Sequence, residues 1–235
     1  MLIFPAAATV ISALFSWSLF RAYGRTKRLQ SFAWGVSLAM YAVASAMLLL
    51  ADVYGWGGIS YRLFWLFGAL LNVPWLAAGS FALAFPKLAR VGIAVVAVAS
   101  ALMIGATLAA DPDTALLALE DGIPRGKEIW PAGSNMLSMV RWASIGGWLI
   151  VVGIALWTSR SRGGMRPSKD RRLGNTLIVI GVSIVAVGGF ALGRLGGTAA
   201  FSATLAMGVA FMYAGFRAAS RAPRFEVTDP GEQST

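Results

Sequence analysis

Apolar residues fill this chain in long blocks, and the short runs between the blocks carry most of the charge. A helix needs about 20 apolar residues to cross the hydrocarbon of a bilayer. Seven blocks reach that length, at 2–20, 31–52, 60–86, 91–110, 136–159, 174–194 and 198–216. The pattern predicts an all-α integral membrane protein: a seven-transmembrane-helix bundle over 1–217, followed by a disordered cytoplasmic tail at 218–235 that is polar and unpatterned. The third block stands out. It carries Arg62 at its start, Asn72 near its middle and Pro74 two residues later. A membrane helix with those features is either merely bent or built around something.

The runs between blocks set the orientation. Residues Arg21, Arg25, Lys27, Arg28, Lys87, Arg90, Arg160, Arg162, Arg166, Lys169, Arg171, Arg172, Arg217, Arg221 and Arg224 are 15 of the 20 cations, and all fall on one side. The other side and its helix ends hold Arg62, Arg125, Lys127, Arg141 and Arg194. Short loops rich in Lys and Arg stay in the cytoplasm. The N-terminus is therefore expected outside and the C-terminus inside, in a bacterial cytoplasmic membrane. The first block has no basic stretch before it, so it reads as an uncleaved span. The segment 111–135 is the only sizeable external loop. Residues 114–122 suit a short interfacial helix, and Trp130 suits a headgroup anchor.

Composition then removes whole classes of chemistry. The chain is 57% hydrophobic and 13% charged, with neither cysteine nor histidine. Disulfides, thiolate and imidazole catalysis, and most zinc and haem sites go with those residues. All four lysines fall outside the spans, which leaves no Schiff-base lysine and no Ser–Lys dyad within a span. No phosphate-binding or dinucleotide fingerprint is present. The net charge of +10 sits in topology-setting loops, so it does not indicate nucleic acid. No cofactor is expected, and the protein reads as a non-enzyme.

Polar residues inside spans are costly and usually face the bundle interior. Helical spacing places Ser37, Tyr41, Ser45 and Asp52 on one face of span 2. It places Tyr61, Trp65, Gly68, Asn72 and Gly79 on one face of span 3, and Ser134, Ser138, Arg141 and Trp148 on one face of span 5. Asp52, Arg62, Arg141 and Arg194 share one depth near the outer boundary, with cations in excess. Together with Tyr41, Asn72 and Ser138 they are the candidate lining of an outward pocket for an anionic ligand or lipid headgroup. The competing reading is structural: the arginines snorkel to the headgroups and Asp52 pairs with Arg62 across the short 2–3 turn. Asn72 either bonds a neighbouring span, or the Pro74 kink opens carbonyls near 70–71 to a ligand or water.

Small residues suggest close packing. They are Gly189 and Gly193 in span 6, Ala97, Ala101 and Gly105 in span 4, and Ala206, Ala210 and Ala214 in span 7, for contacts within the bundle or between copies. Spans 1–3 and 5–7 share an orientation, a basic inner loop and a Gly-Gly outer turn, which suits a 3+1+3 repeat.

Several runs resemble an uncharacterised family of seven-span membrane proteins common in high-GC Gram-positive bacteria. They are Phe32-Ala33-Trp34-Gly35, Tyr61-Arg62 with the stretch 66–75 (LFGALLNVPW), Gly188-Gly189-Phe190 with Arg194, and Met212-Tyr213-Ala214-Gly215-Phe216. The excess of arginine over lysine, 16 to 4, fits such a genome. Spans 2–3 are also similar to the seven-span sensor region of some bacterial histidine kinases, where a span begins Trp/Tyr-Arg and ends in an apolar run with proline. With no output domain in these residues, that likeness implies a partner protein reading the basic inner loops. The expectation is a ligand-binding or sensor protein, or an accessory membrane subunit; the alternative is a small transporter or channel built on the repeat.

Overall fold

The computed structural model describes residues 2–119, 122–159, 169–188 and 198–221. Arg194, the Gly189/Gly193 pair and the tail from 222 lie outside the described residues. The described chain is helical throughout, without strands. Its long helices are α1 (Ile3–Thr26), α2 (Leu29–Tyr54), α3 (Gly58–Ala84) and α4 (Pro86–Ala109). Two single turns follow, α5 (Thr114–Leu117) and α6 (Gly126–Ile129), and then α7 (Met136–Ser159), α8 (Lys169–Val187) and α9 (Thr198–Arg221). Five helices, α1 to α4 and α7, are long and apolar enough to cross a membrane, and α8 adds a shorter apolar stretch, Arg172–Val187. Helices α1 and α9 run past the expected ends at 20 and 216, through Arg21, Arg25 and Arg217. Arg is a good helix former, so winding continues where the apolar run stops. Helix α1 stops at Lys27, whose left-handed φ of 53° turns the chain while its N–H donates to the Tyr23 carbonyl.

The long helices form a ring in the order α1, α2, α3, α7, α8, α9, closed by contact of α9 with α1. Helix α4 lies outside the ring against α3, touching α2 and α7 more lightly. Burial follows this plan: 56% of the apolar window of α3 is inside the protein, against 11% for α4. Helix α3 is thus the most enclosed of the five long apolar helices.

The closest approach is between α8 and α9. A Cβ on Gly181 would lie 2.6 Å from the Gly208 carbonyl oxygen, and one on Gly215 would lie 2.7 Å from that of Gly174. The two backbones touch, as small residues allow in a membrane helix pair. The expected alanine contacts within the bundle hold in part. Ala206 packs against the core, but Ala210 and Ala214 are exposed, and Gly208 and Gly215, seven residues apart, make the backbone contact with α8. In α4, Ala97, Ala101 and Gly105 also face outward, and Gly105 has open space around it.

Candidate functional site

The middle of α3 shows what Pro74 does. Proline brings no N–H to the helix ladder, so the turn before it must find another arrangement. Trp65–Leu71 takes the wider π-helical winding, and regular α-helix resumes at Asn72. Where no water reaches, carbonyls left without an intrahelical donor need one from a side chain. Neighbouring helices supply it. Ser144 on α7 donates to the Ala69 carbonyl (3.3 Å), five residues before Pro74 and left open by its missing N–H. Farther along, in regular α-helix, the Trp34 indole on α2 adds a donor to the Leu76 carbonyl (3.2 Å). The Ser37 hydroxyl on α2 lies 2.6 Å from Asn72 Oδ1 and 3.0 Å from the Asn72 carbonyl, its one proton shared between them. Tyr41, one turn along α2, donates to the Leu205 carbonyl of α9 (2.9 Å). Trp75 reaches Ser100 on α4 (3.0 Å), and Trp148 on α7 reaches Ser183 on α8 (3.2 Å). Each bond contributes roughly 0.5–1.5 kcal/mol net. The bonds of Ser144, Trp34, Ser37 and Trp75 pin α3 to α7, α2 and α4 at mid-helix, and those of Tyr41 and Trp148 join α2 to α9 and α7 to α8.

The end of α3 that begins at Gly58 is built differently. The segment from Ala110 to Asn135 folds over it as a cap. Its tether is Arg62, whose guanidinium donates to the carbonyls of Thr107 (3.4 Å) and Leu108 (3.2 Å) and pairs with Asp111. A cation among the last carbonyls of α4 is favoured by the negative end of that helix. Asp113 caps α5 by accepting from the amides of Ala115 and Leu116, both at 3.0 Å. Its own N–H donates to Ile129 (2.9 Å), which closes the segment on itself. Trp56, on the turn after α2, donates to the Gly122 carbonyl (2.7 Å).

An aromatic cluster lies under this cap. Tyr61 stacks on Trp65 with ring centroids 5.8 Å apart, and Trp130 meets Tyr61 at 5.7 Å and Trp65 at 6.1 Å. Trp56 packs against Tyr61 and Phe64. Gly126 makes the fit possible, because a Cβ there would fall 2.1 Å from the edge of the Trp65 ring. Trp130 is only 4% exposed. Trp130 therefore packs as a wall of this cluster instead of anchoring at the headgroups, a correction forced by the cap folding inward. The expected helix over 114–122 is reduced to one turn. The indole nitrogens of Trp65 and Trp130 are buried with no hydrogen-bond partner among the described residues. A buried N–H without an acceptor costs about 1–3 kcal/mol.

Among the described residues, the expected site residues are not joined into one network. Asp52 is exposed at the end of α2, and Arg62 pairs with Asp111 instead. The carbonyls ending α4 add two acceptors to that carboxylate, and Asp52 has nothing equivalent to offer. Arg141 and Ser138 are exposed on α7. No hydrogen bond or ion pair joins Asp52, Arg62 and Arg141 to one another among the described residues, and Arg194 lies outside them. Tyr41 and Asn72 are buried, but their side chains are engaged in holding helices together. Asp111 and the indole of Trp130 went unrecognised as site groups. A clue to the first was present: Asp111, Asp113, Glu120, Asp121 and Glu128 place five of the ten acids in the loop that must lie near Arg62.

At the opposite end, the ring encloses a small cavity of about 30 Å³. Phe15, Trp34, Leu38, Leu76, Met212 and Phe216 line it, with Ser80 giving its only hydroxyl. That volume is enough for about one or two waters. Among the described residues no cluster of acidic side chains could hold a metal. No protein-family model, curated protein or solved structure matches this chain.

Proposed function

We propose that this chain is a seven-span protein of a bacterial cytoplasmic membrane, N-terminus outside and C-terminus inside, that binds a ligand under its outer cap. It senses that ligand, or serves a membrane complex through it, without catalysing a reaction. Helices α8 and α9 are the sixth and seventh spans. The 15-to-5 split of cations supports the orientation.

One observation carries the binding reading. The cap closes over two buried indole N–H groups that have no acceptor among the described residues. A fold that meets the opened Ala69 carbonyl and the buried Asn72 side chain with partners, yet leaves these two donors unmet, keeps a place for something else. The excess of arginine does not carry the reading, because Arg62 is spent on tethering the cap.

Native mass spectrometry of the protein in lipid nanodiscs tests binding. A one-to-one bound mass, lipid or small molecule, is expected on the wild type and lost in Arg62→Gln, which frees the cap. Absence of any retained mass in wild type overturns it. The cysteine-free chain makes topology simple to check. A cysteine at Asp113 should react with a membrane-impermeant maleimide on intact cells, and one at Arg162 only after permeabilisation.

A second reading, a transporter with a 3+1+3 repeat, is favoured by the ring itself. Replacing α1, α2, α3 by α7, α8, α9 maps every neighbour contact in the ring onto another. Against it, the middle of the bundle is closed by Ser37, Asn72 and Tyr41, and the cavity beyond is apolar. Asn72→Cys distinguishes the two. Labelling from both sides of the membrane supports transport, and labelling from neither supports binding.

A further inference from the structure

We propose that Trp65 and Trp130 are the donor pair of a site for an uncharged carbonyl oxygen, delivered by an amphiphile at the outer membrane interface; this rests on reading the cap as a ligand site. The donors fix the chemistry. Two indole N–H groups, buried on rings whose centroids are 6.1 Å apart and without acceptors among the described residues, call for oxygen lone pairs. The cations near them are engaged. Arg62 is held by the Thr107 and Leu108 carbonyls and Asp111, and Arg125 and Lys127 share Glu128. A charged oxygen would thus be buried beside neutral donors with no free counterion among the described residues, which is unfavourable. A carbonyl asks only for a neutral N–H.

The walls fix the rest of the ligand. The rings of Tyr61, Trp65 and Trp130 offer an apolar surface for the body that carries the oxygen. The three rings are already in contact, so a ligand reaches the N–H groups only when the cap parts from α3. Depth agrees. Trp65 lies seven residues beyond Gly58, about 10 Å along the helix. That is near the boundary between headgroups and hydrocarbon, where carbonyl oxygens of acyl lipids lie. The same chemistry has two sources: the ester of a bilayer lipid, or the carbonyl of a free lipid-soluble molecule.

The test uses the full-length protein with ¹⁵N-labelled tryptophan. It is placed in nanodiscs of ester-linked or ether-linked phospholipid with the same chains and headgroup. The indole proton shifts are read by NMR, with Trp65→Phe and Trp130→Phe used only for assignment, and native mass spectra are taken of the same samples. Hydrogen-bonded, downfield indole protons for both residues in ester discs, moving upfield in ether discs, support a bilayer-lipid carbonyl. Downfield protons in both discs, with a retained one-to-one non-lipid mass, support a free ligand. Upfield protons in both discs overturn the carbonyl site. Downfield protons in both with no retained mass also overturn it, because water is then the acceptor. A retained mass with upfield protons removes the carbonyl site but leaves ligand binding standing, whereas loss of both removes the two together.

Discussion

The two halves of α3 handle unpaired polar groups in opposite ways. At its middle, Pro74 leaves a carbonyl of the π-helical stretch open and Ser144 meets it, while Ser37 and Trp34 add donors at Asn72 and Leu76 just beyond. At its capped end, Trp65 and Trp130 present N–H groups that nothing among the described residues meets. Both places are irregular and both are rich in polar atoms. Only one is complete. Irregular backbone within a membrane is therefore a poor guide to a ligand site when its partners are built in. An unmet donor is a better one.

The comparison breaks most visibly at the cap. Gly126→Ala places a Cβ where the edge of the Trp65 ring now lies, so either the ring or the cap must move. Overpacking of this kind costs about 1–3 kcal/mol. The cap segment should become a site of limited proteolysis while the helices stay intact. If Gly126→Ala protects 111–135 as well as wild type does, the cap is not packed on Trp65 as described.

At the middle of α3 the expected loss is somewhat smaller. Ser37→Ala leaves the Asn72 side-chain oxygen without its donor, in a place 6% exposed for Asn72. An unmet buried acceptor costs about 1–2 kcal/mol. Reversible unfolding in mixed micelles should show that loss, with no change in any bound mass. A variant as stable as wild type would mean that the π-helical stretch does not depend on its neighbours.

How much of this was readable beforehand differs between the same two places. The helices were legible because an apolar run of bilayer length has few alternatives, and the bond from Asn72 to a neighbouring span was one of its two weighed readings. The faces were harder. In a soluble protein a polar stripe marks the outside, but in lipid both faces of a helix are apolar, so a stripe of small residues does not tell which face packs: that of α4, and Ala210 and Ala214 of α9, lie on the outer surface of the bundle. Asp52 was the carboxylate nearest to Arg62 in sequence. Asp111 holds it because the chain returns through α4, whose terminal carbonyls make the better site. Nothing in the spacing placed Trp130 against Trp65, since that contact depends on how a long loop folds back.

The sharpest prediction concerns a small effect and its sign. Trp65→Phe and Trp130→Phe keep an aromatic ring in the cluster and remove only the N–H and part of the ring area. By the area lost, each should destabilise slightly. By the donor lost, each should stabilise, because an unmet buried N–H disappears and that group costs about 1–3 kcal/mol. In protein stripped of bound amphiphile the two effects oppose, and the net change should be close to zero or stabilising. In protein holding its ligand the donor is satisfied, so the same substitutions should now be destabilising by the lost bond and should release the ligand. The middle of α3 behaves otherwise: Ser37→Ala should cost the same with or without ligand. Equal losses from the indole variants in both preparations would mean that Trp65 and Trp130 are wall and nothing more, and the contrast between the two halves of α3 would vanish.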